Sequence, residues 1–188
     1  MNLCVESNCS LCCDGTLYSQ APLTKEDASL HCDVFEVKRA DKNSRSNSYD
    51  TFFDLPCEMC VDQACSIYNK VRPKICGEYK CILYAEYESK TISLEKASLI
   101  IQNVKHIRDN LRPQLEKFLE IESSHSIPSL VKMVAAKVDE KNINKHSFVL
   151  IKMLHDIGMF RIRLAKRFDS RLTKPTWLAD KLTLRPID

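Results

Sequence analysis

Cys57-Glu-Met-Cys60-Val-Asp-Gln-Ala-Cys65-Ser-Ile-Tyr-Asn-Lys-Val-Arg-Pro-Lys-Ile-Cys76-Gly-Glu-Tyr-Lys-Cys81 is the stretch that decides how this chain is read. Five cysteines fall within 25 residues. A second group, Cys4, Cys9, Cys12 and Cys13, stands near the N-terminus, and no cysteine follows residue 81. Thiolates are soft, charged donors that hold zinc or iron tightly, and close spacing lowers the entropy cost of assembling a site.

Charge divides the chain at about the same place. Residues 1–91 carry 10 Lys+Arg against 14 Asp+Glu, a net of −4, and residues 92–188 carry 18 against 11, a net of +7. The expected architecture is mainly α with little β. An irregular cysteine-rich metal-binding lobe over 1–91 is followed by a helical bundle with an extended C-terminal strap over 92–188. The N-terminus lacks the basic start and apolar stretch of a secretory signal, and no apolar run reaches the ~18 residues of a membrane span, so a cytoplasmic location with no membrane contact is expected. An even count of ten cysteines admits a disulfide framework, but a reducing compartment and a chain of this length both favour metal ligation.

Local signals place the elements. Asp14-Gly15 reads as a turn. Thr24 caps a helix with Glu26 and Asp27 in its first turn, running to about Val37 and carrying His31 and Cys32. Residues 38–51 are polar and aperiodic, a loop. Residues 51–55 and 82–87 read as short strands, and any turn of helix from Ala64 must end before Pro73. Ser93 caps a helix with apolar positions Leu94, Ala97, Ile100, Ile101, Val104, Ile107 and Leu111, which Pro113 breaks or restarts. Ile127-Pro128 opens another, and Asn144 caps a third with Val149, Leu150, Met153, Leu154, Ile157, Phe160, Leu164 and Phe168 on one face. Amphipathic helices of this kind need each other to hide their stripes. The segment 173–188 reads as the strap.

Cys9-x2-Cys12 has knuckle spacing. Cys13 points away from its neighbour and suits a second metal or another corner of a cluster. With Cys57, Cys60, Cys65, Cys76 and Cys81 the ligands exceed what one tetrahedral ion can use. That surplus points to two metal sites or an iron–sulfur cluster ahead of a single zinc.

These residues resemble the YkgJ-type cysteine-cluster family, a zinc- or iron-chelating domain with a Cys-x2-Cys-x2-Cys-Cys opening. Its later pattern is roughly Cys-x7-Cys-x-Ile-Tyr-x2-Arg-Pro-x2-Cys-Arg-x-Phe-x-Cys. Cys9, Cys12 and Cys13 match the opening; Glu6 stands where its first cysteine belongs, and either Cys4 or the extra Cys60 could substitute for it. Cys57, Cys65, Ile67, Tyr68, Arg72, Pro73, Cys76 and Cys81 follow the later pattern, with three residues in place of two between Tyr68 and Arg72 and with Gly77 and Tyr79 replacing the usual Arg and Phe. Leu23-Thr-Lys-Glu-Asp27 also looks like a family segment, so the match covers residues 4–81. The resemblance implies metal binding, with iron as a cluster or multinuclear centre ahead of zinc, by Cys4, Cys9, Cys12, Cys13, Cys57, Cys60, Cys65, Cys76 and Cys81. Proteins that methylate flagellin lysines share the domain, but only Gly15, Gly77 and Gly158 occur here, so no glycine-rich loop exists to cradle a nucleotide cofactor.

Arg72 could offset thiolate charge or donate hydrogen bonds to sulfur, and Tyr68 reads as a core packing residue ahead of a catalytic phenol. Cys32 reads as a small buried hydrophobe. His31, His106, His125, His146 and His155 are scattered, and only His31, beside Cys32, is a ligand candidate. The basic residues Lys152, Arg161, Arg163, Lys166, Arg167, Arg171 and Lys174 read as a solvated face or an acidic-partner dock sooner than a nucleic-acid surface, since no aromatics interleave. Three functions fit: a metal-dependent enzyme acting on a protein or peptide substrate, a non-catalytic metal-stapled interaction module, and metal delivery or redox sensing.

Overall fold

A computed structural model describes residues 2–31, 33–39, 50–140 and 148–173. About 55% of the described residues are helical and 9% are in strands, so the fold is mainly α. It divides into two compact units. One comprises residues 1–80 together with 124–129, and the other 81–123 with 130–188. The division expected from composition lies at residue 91/92. Cys32, Asn144 and the segment 174–188 lie outside the described residues.

The first unit begins with the short helix α1 (Leu3–Glu6) and a run of turns through residue 17. Strands β1 (Gln20–Leu23), β2 (Lys38–Arg39) and β3 (Thr51–Asp54) form an antiparallel sheet in the order β1-β3-β2. Ala21 pairs with Phe53 and Lys38 with Phe52. The expected strand at 51–55 is therefore present. Helix α2 (Lys25–Leu30) starts where the cap rule puts it: the Thr24 hydroxyl accepts from the Asp27 N–H, and the Asp27 carboxylate accepts from the Thr24 N–H. It ends at Leu30 and not near Val37, because the chain turns at His31 to bury Phe35. Phe35 stacks on Phe53 with centroids 4.5 Å apart. Leu23 and Leu55 complete this small core, against which Tyr18, Ile67, Cys57 and Met59 pack.

Where a turn of helix from Ala64 was expected, the chain makes a two-stranded ribbon of β4 (Cys60–Val61) and β5 (Ala64–Cys65). After Pro73 comes helix α3 (Lys74–Glu78). Proline offers no capping side chain, so the Lys74 N–H needs an acceptor from elsewhere. Both oxygens of the buried Asp27 supply it, at 3.1 and 3.2 Å. One carboxylate thus serves two helix starts. Asp27→Ala should cost about 2 kcal/mol in denaturant unfolding, twice the effect of Thr24→Ala, because it strands two donors, the Thr24 N–H and the Lys74 N–H, where Thr24→Ala strands one.

The second unit contains α4 (Ile82–Glu88), α5 (Leu94–Leu119), most of α6 (Ile127–Glu140), α7 (Phe148–Arg167) and a 3-10 turn (Ser170–Thr173). Residues 82–87, expected as a strand, are helical: the Cys81 thiol caps α4 by accepting from the Tyr84 N–H at 3.3 Å, and only Leu83 is buried. Ser93 caps α5 as expected. That helix runs through Pro113 unbroken. The carbonyl left without its N–H donor belongs to Asp109, and both residues face solvent, where water can satisfy it. Helices α5 and α7 pack along each other, with α4 against both. Leu150, Met153, Leu154, Ile157, Phe160, Leu164 and Phe168 are buried as the helical spacing expects; Val149 instead is 72% exposed. Among the described residues no helix is long and apolar enough to cross a membrane.

Candidate functional site

The candidate site is built on three local devices of the first unit. The first is the loop carrying Cys9, Cys12 and Cys13, which closes through Gly15. The Asp14 carboxylate ties it by accepting from Ser10 Oγ at 2.8 Å and from the Thr16 N–H at 2.9 Å. Gly15 adopts φ +73°, and its carbonyl accepts from the Ile127 N–H at 2.8 Å. The second is the Cys57-x2-Cys60 turn, where the Cys60 N–H donates to the Cys57 carbonyl at 2.9 Å. The Cys57 N–H donates to the Cys13 carbonyl at 2.7 Å, which joins the two cysteine groups of the sequence through their backbones. The third is the ribbon, which sets Cys60 directly opposite Cys65.

The sulfurs feel one another. Burial pushes the Cys13 thiol up far beyond its ordinary range, and the charges of Cys60, Cys57, Cys76 and Cys65 push it further. Burial also raises Cys57, with Cys65 adding to it, while the N–H groups of Met59 and Cys60 oppose the rise by hydrogen bonding to its sulfur. Backbone N–H groups near a sulfur favour the thiolate, the form that binds metal. Cys76 keeps exposed surface, yet burial on its inner side is the largest cause carrying it to about 11; Cys57, Cys65 and Asp27 add to the rise and Arg72 opposes it. The Arg72 guanidinium also lies over the Tyr68 ring, 4.2 Å from its centroid. The Tyr68 hydroxyl in turn accepts from the Asn2 side chain.

A consequence for pH follows from Cys76. Thiols of the unfolded chain lose their protons near the ordinary 9.0, while this one holds its proton to about 11. In that window the folded state binds more protons than the unfolded one, so stability contributed by the protonated thiol is complete below pH 9 and is lost as pH rises toward 11. Because water reaches the exposed side of the residue, the shift fixes the sign and not an amount. Denaturant midpoints of metal-free protein should fall from pH 8 to pH 10, and Cys76→Ser should flatten the decline.

The other candidates are placed as follows. Cys4 is exposed, and its carbonyl accepts from the Cys9 N–H at 2.8 Å. Cys9 and Cys12 are half-buried. Cys81 belongs to the second unit as the cap of α4. His31 is buried with its ring edge-on to Phe35, and its Nε2 has no hydrogen-bond partner among the described residues. On the basic helix Lys152 pairs with Asp156 at 2.8 Å, and Arg171 pairs with Asp169 at 2.7 Å. Sequence reasoning missed the ribbon and the role of Asp27 at α3. Among the described residues no three His, Cys, Asp or Glu side chains converge as ligands of a single ion. The thiols are gathered as neighbours without forming a coordination sphere. No family model, curated protein or solved structure matches the chain.

Proposed function

We propose that this chain is a metal-binding cysteine-cluster protein: a cysteine-rich metal-binding lobe followed by a helical bundle. Cys13, Cys57, Cys60, Cys65 and Cys76 supply thiolates, and the motif also nominates Cys4, Cys9, Cys12 and Cys81. The observation that carries this reading is the joining of the two cysteine groups: the Cys57 N–H donates to the Cys13 carbonyl at 2.7 Å, and the ribbon sets Cys60 opposite Cys65. Crowded, partly buried thiols hold their protons tightly when nothing neutralises them. A cation removes that penalty, since each proton displaced trades a repulsive charge for a ligand bond. Arg72 offsets part of the remaining negative charge from outside. More than four thiolates in one neighbourhood favours a polynuclear iron or iron–sulfur centre over a single tetrahedral zinc. The metal would supply redox or Lewis-acid chemistry, and the chain's own part is to bind it, orient the sulfurs and hold a counter-charge. The cytoplasm, which keeps thiols reduced, is the compartment that fits this role.

Purification without oxygen, followed by visible spectroscopy and a count of metal and sulfide per chain, tests this directly. A brown protein with iron and sulfide in whole-number ratio is expected. A colourless protein holding zinc would move the centre to a structural zinc site and leave an interaction module. A protein that retains no metal would sink the reading.

A further inference from the structure

The ribbon of β4 and β5 carries a second chemistry. Its turn is Asp62-Gln63, with φ +47° and +65°, the two-residue loop of mirror-image type that matches strand twist. Val61 and Ala64 flank that turn, Cys60 and Cys65 come next, and the Ser66 N–H donates to the Met59 carbonyl at 2.9 Å one step further. Hydrogen-bonded and non-bonded pairs alternate along an antiparallel ladder, so Cys60 and Cys65 are a non-hydrogen-bonded pair. In such pairs the Cα atoms lie about 4.5 Å apart and the side chains approach most closely on one face. Disulfides take Cα separations of roughly 4.4–6.8 Å, so closure asks for little backbone movement. Neither cysteine is in a disulfide, and neither is buried. Asp62, Gln63, Ala64 and Ser66 around them are exposed, and Val61 is 54% exposed.

We propose that Cys60 and Cys65 are a redox-closing pair, oxidised by a hydroperoxide to a disulfide across the ribbon. One thiolate attacks a peroxide oxygen; the O–O bond breaks, hydroxide leaves and takes up a proton, and a sulfenic acid forms. The opposite thiol attacks that sulfur, the S–O bond breaks, and the departing hydroxide takes the second thiol's proton. Two thiols and hydrogen peroxide become one disulfide and two waters. Cys57 is the competitor through its Cys-x2-Cys spacing, but it lies outside the ribbon, opposite neither cysteine, and packs against the Phe53 core. The pair closes whether or not the lobe binds metal. Where metal is bound, closure removes two of its proposed ligands.

Reduced, metal-free protein is treated with one equivalent of hydrogen peroxide, and the remaining thiols are alkylated. The tryptic peptide Ser46–Lys70, which holds Cys57, Cys60 and Cys65, is then sequenced by mass spectrometry. The expected product carries alkylated Cys57 and a Cys60–Cys65 bond, two hydrogens lighter than the reduced peptide. Cys57→Ser retains the bond and Cys65→Ser abolishes it. A bond from Cys57 to either neighbour, or alkylation at all three positions, overturns the assignment. Metal content measured on the untreated protein keeps the two ideas apart. A protein without metal that forms the bond fails only the metal reading, and a metal-loaded protein whose stripped form leaves the pair open fails only this one.

Discussion

Cys57→Ser is expected to abolish metal retention. Cys57 is the hub of the candidate site: its N–H donates to the Cys13 carbonyl, its own carbonyl accepts from the Cys60 N–H, and its charge acts on both Cys13 and Cys76. Serine keeps the size and the backbone bond, but its hydroxyl stays protonated at neutral pH and is a hard, weak donor where a soft thiolate is needed. Loss of a residue that only orients a ligand costs 10–100-fold in metal affinity, so loss of the ligand itself should exceed about 100-fold. Metal analysis after dialysis against a graded series of chelators reads this out, and far-ultraviolet circular dichroism checks that the fold survives. Wild-type affinity and stoichiometry in the variant would remove Cys57 from the ligand set and with it the centre of the proposal.

Gly15→Ala should destabilise the protein by about 2–5 kcal/mol. At φ +73° an alanine pays roughly 1–2 kcal/mol for its Cβ alone. The added carbon would also lie 2.8 Å from the Ser126 Cβ, 2.9 Å from the Ser126 Cα and 3.2 Å from the Pro56 nitrogen. Two of those three atoms are backbone and cannot swing aside, so overpacking adds about 1–3 kcal/mol. Gly77 makes the contrast: nothing lies within 4 Å of the place its Cβ would take, and it sits inside α3. Gly77→Ala should be stabilising by up to about 1 kcal/mol through helix propensity. Urea unfolding of both variants measures the difference. Equal midpoints would mean that residues 124–129 are not held against Gly15 as described.

What could be read from the sequence was whatever a single turn of chain decides. Thr24 and Ser93 cap their helices because capping needs only a hydroxyl and an N–H three residues on. The buried face of α7 followed from spacing for the same local reason, apart from Val149 at its first turn. The β4–β5 ribbon was illegible because Asp62 and Gln63 take left-handed conformations without a glycine to announce them. Pro113 misled because its cost depends on whether Asp109 faces water, a tertiary fact. Asp27 reaching Lys74 spans 47 residues, and no local rule anticipates it. In the candidate site, spacing named the cysteines as a class. Which sulfurs are neighbours depends on the Cys57-to-Cys13 backbone bond and on the cross-strand register, neither of which leaves a mark in composition.

The segment 124–129 that comes back to Gly15 gives the first unit a schedule. During synthesis all nine cysteines up to Cys76 leave the ribosome more than forty residues ahead of Ile127, whose N–H donates to the Gly15 carbonyl. At 5–20 residues per second that interval lasts roughly 2–10 seconds, during which the thiols are exposed on an unfinished domain. The nascent chain is therefore at its most vulnerable to thiol oxidation before the first unit is complete. A gene fragment ending between residues 81 and 123 would make that interval permanent.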